Sequence, residues 1–227
     1  MDLDGYSDTT TSFFTLDACD GELATKIMSV LALSATEMEE AWRILISNNP
    51  DLESRLRSQG IDKPANRGDI GWDDAMILFT CSLEINNQKR PIQLGEQLSK
   101  ERFGRFPWGN GSATNYLLEY LRPNNSSVSS KESYDNMIIL LDKLDSFCIK
   151  GPHGDTKYTN GLGGLQICGL LDMNEVHQLR KYFTGRVWSV SADEPLDGGV
   201  RDAIKHLVLI LKSAERSGVG VMLRSHA

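Results

Sequence analysis

The stretch "LQICGLLDMNEVHQLRKYF", residues 165–183, decides the fold, because it joins a predicted strand directly to a capped helix. Its first six residues are a short apolar run of the kind that forms a buried strand. Asp172 and Glu175 then have the spacing of a capping box, in which each side chain accepts a hydrogen bond from the other residue's backbone N–H. The sequence therefore predicts a strand that leads into a helix beginning after Asp172.

Downstream of this pair, the alternation of strand and helix continues. The segment "RVWSV", residues 186–190, contains the β-branched and aromatic residues of a short strand. Residues 199–218, "GVRDAIKHLVLILKSAERSG", form a long amphipathic helix that Asp197 can cap and Gly218 can end. In "VGVMLRS", residues 219–225, apolar side chains alternate, which indicates a strand with one buried face. The C-terminal part is predicted as a strand-helix-strand-helix-strand unit.

Upstream, apolar residues recur at helical intervals, and the fold class predicted for the whole chain is α+β, mostly α. The predicted helices begin at Glu22, at Ser34 or Thr36, and before Leu52, and later ones occupy residues 72–85, 93–104, 112–122 and 131–149.

Two segments without periodicity divide the chain. Residues 1–20 are rich in Asp, Ser and Thr, and residues 122–130, "RPNNSSVSS", combine a helix breaker with two asparagines and four serines. We therefore predict a flexible acidic tail (1–20), a helical subdomain (21–122), a linker (123–130) and an α+β subdomain (131–227).

Composition predicts a folded, soluble, cytoplasmic protein. Of the 227 residues, 40% are hydrophobic and 24% are charged, which is close to the average for globular proteins. The first residues lack the basic and apolar regions of a secretory signal, and no apolar run reaches the roughly 18 residues that span a bilayer, so we expect no membrane contact. The four cysteines do not form CxxC pairs, which predicts reduced thiols and no metal site.

Charge is distributed unevenly along the chain. Residues 1–62 carry 12 acidic and 4 basic side chains, whereas residues 63–227 carry 19 acidic and 20 basic ones. An acidic first third disfavours nucleic acid as a partner and suits either a basic partner protein or a solvated surface. The acidic contact candidates are Glu37, Glu39 and Glu40.

The segment "SKERFGRFPWGNGS", residues 99–112, interleaves basic and aromatic side chains. Such residues form hot spots of protein interfaces, stack on single-stranded nucleic acid, or simply cover a core. Because only three basic residues supply positive charge, protein contact is favoured over nucleic acid. The binding candidates are Arg102, Phe103, Arg105, Phe106 and Trp108.

A glycine-rich stretch, residues 151–164, precedes the first quoted strand. Its "GLGG" lacks the spacing of a dinucleotide fingerprint, and no Gly-Lys-Ser/Thr occurs in the chain, so no cofactor is predicted. His153 and Asp155 have a spacing found in some hydrolytic sites, and Asp202 and His206 share one helix face. These four residues are the catalytic candidates. The alternatives are an exposed turn histidine for the first pair and a solvated helix face for the second.

Three strings define the layout of the C-terminal quarter: "GGLQICGLLDMNEVHQL" (163–179), "LILKSAERSG" (209–218) and "VGVMLRS" (219–225). In this layout, residues 164–226 resemble the YfbM-like family of uncharacterised bacterial proteins, which carry a short strand, a capped helix, a long helix ending in small residues and a closing apolar strand. The resemblance implies a bacterial-type protein, but no reaction and no site residue.

The functional hypothesis that these observations favour is a non-enzymatic cytoplasmic interaction protein of regulatory, adaptor or immunity type. A hydrolase or transferase that uses a His/Asp site is the first alternative, and a binder of single-stranded nucleic acid is the second.

Overall fold

The computed structural model describes residues 12–83, 92–94, 103–124, 128–146 and 165–226. The helices are α1 (Gly21–Leu31), α2 (Ala35–Asn48), α3 (Pro50–Ser58), α4 (Asp74–Cys81), α5 (Ala113–Tyr120), α6 (Val128–Ser146), α7 (Met173–Thr184) and α8 (Gly199–Ser217). The strands are β1 (Phe13–Cys19), β2 (Leu121–Pro123), β3 (Leu165–Leu171), β4 (Trp188–Val190) and β5 (Gly220–His226). The predicted α+β, mostly α class is confirmed.

The main sheet has the strand order β1-β5-β3, and both pairings are antiparallel. The last strand of the chain therefore lies at the centre, with Phe13 and Leu165 on either side of His226. Strand β4 does not join this sheet, since it pairs with β2 in a separate two-stranded ladder. The predicted strand-helix-strand-helix-strand order is confirmed as β3-α7-β4-α8-β5, although its middle strand pairs outside the main sheet.

Strand β1 corrects the prediction of a flexible tail for residues 13–19, whereas residues 1–11 of the predicted tail (1–20) lie outside the described residues. Phe14, Leu16 and Ala18 alternate along it and are 4%, 0% and 2% exposed, because they face one hydrophobic core. The polar residues between them, Thr15 and Asp17, are also buried. In the sequence, the polar residues of β1 resemble those of a solvent-exposed segment. In the structure, both faces of the strand are covered.

Each face of the sheet packs against its own layer of helices. Residues of α1–α4 form a core with Cys19, Ile167, Leu170 and Met222 on one face. Residues of α5–α8 form a second core on the opposite face, which includes Leu16, Cys168, Leu171, Val221 and Leu223. The sheet is thus the middle layer of three, and helices from the two halves of the chain lie on opposite sides of it.

Several predicted boundaries can be compared with the helix caps. The capping box of α7 is confirmed, since Asp172 accepts from the N–H of Glu175 and Glu175 accepts from the N–H of Asp172. Gly218 ends α8 in the left-handed conformation, as predicted. The N-cap of α8 is Gly198 rather than Asp197, because its φ of 82° suits glycine. The predicted linker 123–130 overlaps α6, which begins at Val128.

Three cysteines lie in the cores as free thiols, namely Cys19, Cys81 and Cys168. Burial raises the pKa of Cys81 and of Cys168 to about 12, and it also raises that of Cys19. These thiols therefore stay protonated at neutral pH and pack as small apolar side chains.

None of the helices in the described segments combines the length and the apolar character that crossing a bilayer requires.

Candidate protein-interaction surface

Four aromatic rings meet beside α5. This helix places Tyr116 and Tyr120 one turn apart, with ring centroids separated by 4.8 Å. The ring of Trp108 meets them edge-on, at 5.9 Å from Tyr116 and 5.6 Å from Tyr120, and Phe106 lies 4.6 Å from Tyr116. We call these four side chains the aromatic cluster. Phe106 and Trp108 remain half-buried, so one side of the cluster reaches solvent.

A tight loop holds Phe106 and Trp108 against the helix. The backbone N–H of Phe106 donates to the carbonyl of Gly111, and the N–H of Gly111 donates to that of Trp108, at 2.8 and 2.9 Å. Gly111 has a φ of 87°, which permits this turn. Ser112 follows at once and caps α5 by accepting from the N–H of Asn115. The loop and the helix start are therefore one local unit that fixes the position of both rings.

Carboxylates surround the polar ends of these rings. The indole Nε1–H of Trp108 donates to Glu119 at 3.3 Å, and the hydroxyl of Tyr116 donates to Glu194 at 3.1 Å. Burial is the largest cause that raises the pKa of Tyr120, followed by its hydrogen bond to Glu119; the charges of Glu119 and Asp193 add to it. Burial first, and the two carboxylates in addition, therefore make this phenol harder to ionise.

We call the aromatic cluster together with its carboxylates the aromatic–acidic surface. Its residues are Phe106, Trp108, Tyr116, Tyr120, Glu119, Asp193 and Glu194. The guanidinium of Arg122 lies nearby and donates to the carbonyls of Glu119 and Leu121. Its positive charge lowers the pKa of Tyr120 and offsets part of the negative charge. Half-buried aromatic rings such as those of Phe106 and Trp108, beside carboxylates, can attract Lys and Arg side chains by cation–π and ionic contacts.

Glu194 also has a structural role that can be tested. Its Oε1 accepts from the backbone N–H of Val200 at 2.5 Å, and so it caps α8, whose N-cap Gly198 has no side chain. We expect Glu194→Ala to lower the free energy of unfolding by about 1–2 kcal/mol, because a helix cap and the Tyr116 hydrogen bond are both lost. Urea denaturation measures this loss. The neighbouring exposed residue provides the control: if Asp193→Ala costs as much, the capping role is refuted.

The residues predicted at 102–108 have different surroundings. Arg102 lies outside the described residues. Phe103 is only 6% exposed and packs 5.9 Å from the ring of His206, so it belongs to the core and not to a contact surface. Arg105 is exposed, and Phe106 and Trp108 are half-buried in the aromatic cluster.

Sequence reasoning missed the other members of the aromatic–acidic surface. The sequence places Tyr116 and Tyr120 only within the predicted helix 112–122, and both side chains are buried. Their hydroxyls nevertheless point to carboxylates, one of which comes from a loop 78 residues away in the chain. The spacing of the two tyrosines was the available signal, but nothing in the sequence linked it to Glu194 or Asp193.

The predicted acidic candidates lie elsewhere. Glu37 and Glu40 are exposed on α2, where Glu37 accepts from the hydroxyl of Ser34 at 2.6 Å, and Glu39 is half-buried. Helix α2 belongs to the layer on the opposite face of the sheet from α5. The two groups of predicted contact residues therefore do not form one surface.

The catalytic candidates are only partly described. His153 and Asp155 lie outside the described residues. On α8, Asp202 is exposed and His206 is half-buried against Phe103. Within the described segments, no group of three or more His, Cys, Asp or Glu side chains is placed to hold a metal ion.

Comparison with known proteins returned no match to this chain among protein-family models, curated proteins or solved structures.

Proposed function

We propose that this protein is a non-enzymatic interaction protein that binds a basic partner protein through the aromatic–acidic surface. The observation that supports the proposal most is the contact of half-buried Trp108 with Glu119, which places an aromatic ring and a carboxylate at the same point of the surface. An arginine or lysine of a partner can contact both groups at once.

The energetics of such a contact favour a protein partner. Trp and Tyr side chains that are held rigidly contribute much of the binding energy at interfaces, because little conformational entropy is lost when they are covered. A cation over such a ring adds about 0.5–2 kcal/mol to the binding free energy, with the larger values where water is excluded from the contact. The exposed carboxylates of Glu119 and Asp193 would mainly accelerate association with a basic partner.

The same surface is unsuited to nucleic acid. Aromatic rings can stack on bases, but binding of a single strand also requires cations along its phosphates. Here the rings are bordered by the carboxylates of Glu119, Asp193 and Glu194. The charge of Arg122, which lowers the pKa of Tyr120, offsets them only in part. The carboxylates would repel the phosphates, so we favour a basic protein over a single-stranded nucleic acid.

Affinity capture with matched variants tests this proposal. We expect the immobilised wild-type protein to retain a basic protein at low salt, and Glu119→Lys/Asp193→Lys to lose it, because both exposed charges are reversed and the hydrogen bond from Trp108 to Glu119 is lost. Trp108→Ala should lose the same protein. Mass spectrometry of the eluates identifies it.

The control is Ile139→Ala, which alters an exposed apolar side chain on α6, 62% exposed. Retention of the partner by the double reversal variant, or its equal loss from the Ile139 variant, would refute the proposed surface. Circular dichroism shows whether each variant is folded.

The finer parts of the proposal concern the compartment and the role. The free thiols of Cys19, Cys81 and Cys168 support a reducing compartment such as the cytoplasm. A regulatory, adaptor or immunity role fits a protein that acts by binding. The bacterial origin that the YfbM-like resemblance suggests stays a prediction. The hydrolase or transferase alternative depends on where His153 and Asp155 lie.

A further inference from the structure

Helix α2 presents an apolar side chain to solvent next to charges of opposite sign. Ile44 is 54% exposed, and Glu40 and Arg43 are exposed beside it on the same side of the helix. The opposite side of α2 is covered, because Met38, Trp42 and Leu45 lie in the core. The outward face has the composition of a contact surface, in which an apolar side chain lies beside charges of both signs.

A groove lies next to this face, between α2, α3 and the loop that follows α3. It has a volume of about 430 Å³ and is lined by Glu39, Arg43, Arg57, Asp62, Lys63, Pro64, Ala65 and Asn66. The indole Nε1–H of Trp42 donates to the carbonyl of Pro64 at 2.8 Å and Arg57 donates to that of Asp62, so the loop is fixed in place.

Two cations of the groove are available to a ligand. Arg57 is engaged by Glu53 at 2.8 Å. By contrast, Arg43 and Lys63 make no ion pair within the parts of the chain that the structure describes, and the same is true of Glu39 and Glu40 on α2. Glu39 and Glu40 therefore lie near Arg43 and Lys63, but no ion pair among the described residues joins the acids to the bases.

We infer that this surface binds a second copy of the same chain, through antiparallel packing of the two α2 helices about a two-fold axis. A two-fold interface must be complementary to itself. If residue i of the first copy contacts residue j of the second, then residue j of the first copy also contacts residue i of the second. The α2 face meets this condition, because it carries Glu40 and Arg43, which have opposite charges and form no ion pair among the described residues.

The spacing along the helix supports this arrangement. Glu40 and Arg43 are three residues apart, which is about 4.5 Å along the helix axis. When the two-fold axis passes midway between them, Glu40 of one copy lies opposite Arg43 of the other, and the pair forms twice. Ile44 lies within one turn of this axis and is covered by the α2 helix of the second copy.

Sedimentation equilibrium of the full chain tests the inference. We expect the wild-type protein to pass from monomer to dimer between about 1 µM and 1 mM, since an interface built on one helix face is small. Glu40→Arg and Arg43→Glu should each weaken the dimer by about tenfold or more, because two attractive pairs become repulsive. The double variant Glu40→Arg/Arg43→Glu restores the opposite charges and should dimerise like the wild type.

Two control variants separate this surface from general effects of charge and of apolar exposure. Asp202→Arg reverses an exposed charge on α8, and Ile139→Ser removes an exposed apolar side chain on α6. Neither should change the dimer, whereas Ile44→Ser should weaken it. A wild-type protein that stays monomeric throughout this range, or a double variant as weak as the single ones, would overturn the inference.

This surface and the aromatic–acidic surface share no residue. Failure of the dimer therefore leaves the proposed binding of a basic partner standing, and failure of the partner capture leaves the dimer standing.

Discussion

Replacing Asp17 with alanine is expected to lower the free energy of unfolding by about 3–5 kcal/mol, because Arg224 would be left as a buried cation without its counter-ion. Asp17 is 1% exposed and Arg224 is 8% exposed. The guanidinium donates to both carboxylate oxygens, from Nε at 2.6 Å and from Nη2 at 3.1 Å. Equilibrium unfolding in urea, followed by circular dichroism, measures the loss.

Neighbouring groups increase the cost of breaking this ion pair. Thr15 donates to the carboxylate of Asp17 at 3.1 Å, and its hydroxyl also contacts the imidazole of His226 at 3.1 Å. Burial, followed by the charge of Arg224, lowers the pKa of His226, so the imidazole stays neutral beside the guanidinium at neutral pH. Loss of the Asp17 carboxylate would remove an acceptor that Arg224 and Thr15 share.

A double-mutant cycle separates the ion pair from general damage to β1. Asp17→Leu/Arg224→Met replaces both charges with apolar side chains, and we expect it to be more stable than either single variant, because no unpaired charge remains buried. Asp197→Ala, in an exposed loop, is the control and should change stability by less than about 0.5 kcal/mol. A double variant no more stable than Asp17→Leu alone would show that the pair is not coupled.

Gly169→Ala is expected to destabilise the protein by about 3 kcal/mol or more, because its added methyl group would meet backbone atoms that cannot rotate away. A Cβ at this position would lie 2.5 Å from the carbonyl carbon of Leu144, and it would also contact the carbonyl oxygen of Lys143. The end of α6 thus passes directly over β3 where the β3–β5 register shifts between Ile167 and Gly169. Thermal unfolding should show a marked fall in Tm or no cooperative transition.

Gly71→Ala is the matched control for this experiment. A Cβ at Gly71 would have no heavy atom within 4 Å, and the residue is exposed. We expect its stability to match that of the wild type within about 0.5 kcal/mol. If the two variants were equally stable, α6 could not pack on β3 as closely as described.

The C-terminal elements could be predicted from sequence because their signals are local. The capping box of Asp172 and Glu175 and the C-terminal Gly218 depend on residues a few positions apart. Strand β1 could not be predicted in this way, since its partner β5 lies about 200 residues away in the chain. Its buried Asp17 is compensated by Arg224 of that distant strand. The buried Asp17 made a core strand resemble a solvated segment.

The candidate surface was predictable only in part, for the same reason. The mixture of basic and aromatic residues near 102–108 indicated a contact region, and Phe106 and Trp108 do lie in the aromatic cluster. Phe103 could not be distinguished from them, because its burial depends on packing against α8. The carboxylates of Asp193 and Glu194 come from a distant loop and change the chemistry of the surface from basic to acidic.

The dissociation constant of the captured basic partner, measured by calorimetry at several salt concentrations, tests the proposed function most directly. For the wild-type protein we predict binding that weakens as salt rises. For Glu119→Gln/Asp193→Asn we predict binding about tenfold weaker at low salt, with a smaller dependence on salt, because two of the carboxylates that attract the partner are neutral. Equal affinities and equal salt dependence for the two proteins would contradict the proposal that the aromatic–acidic surface binds the partner.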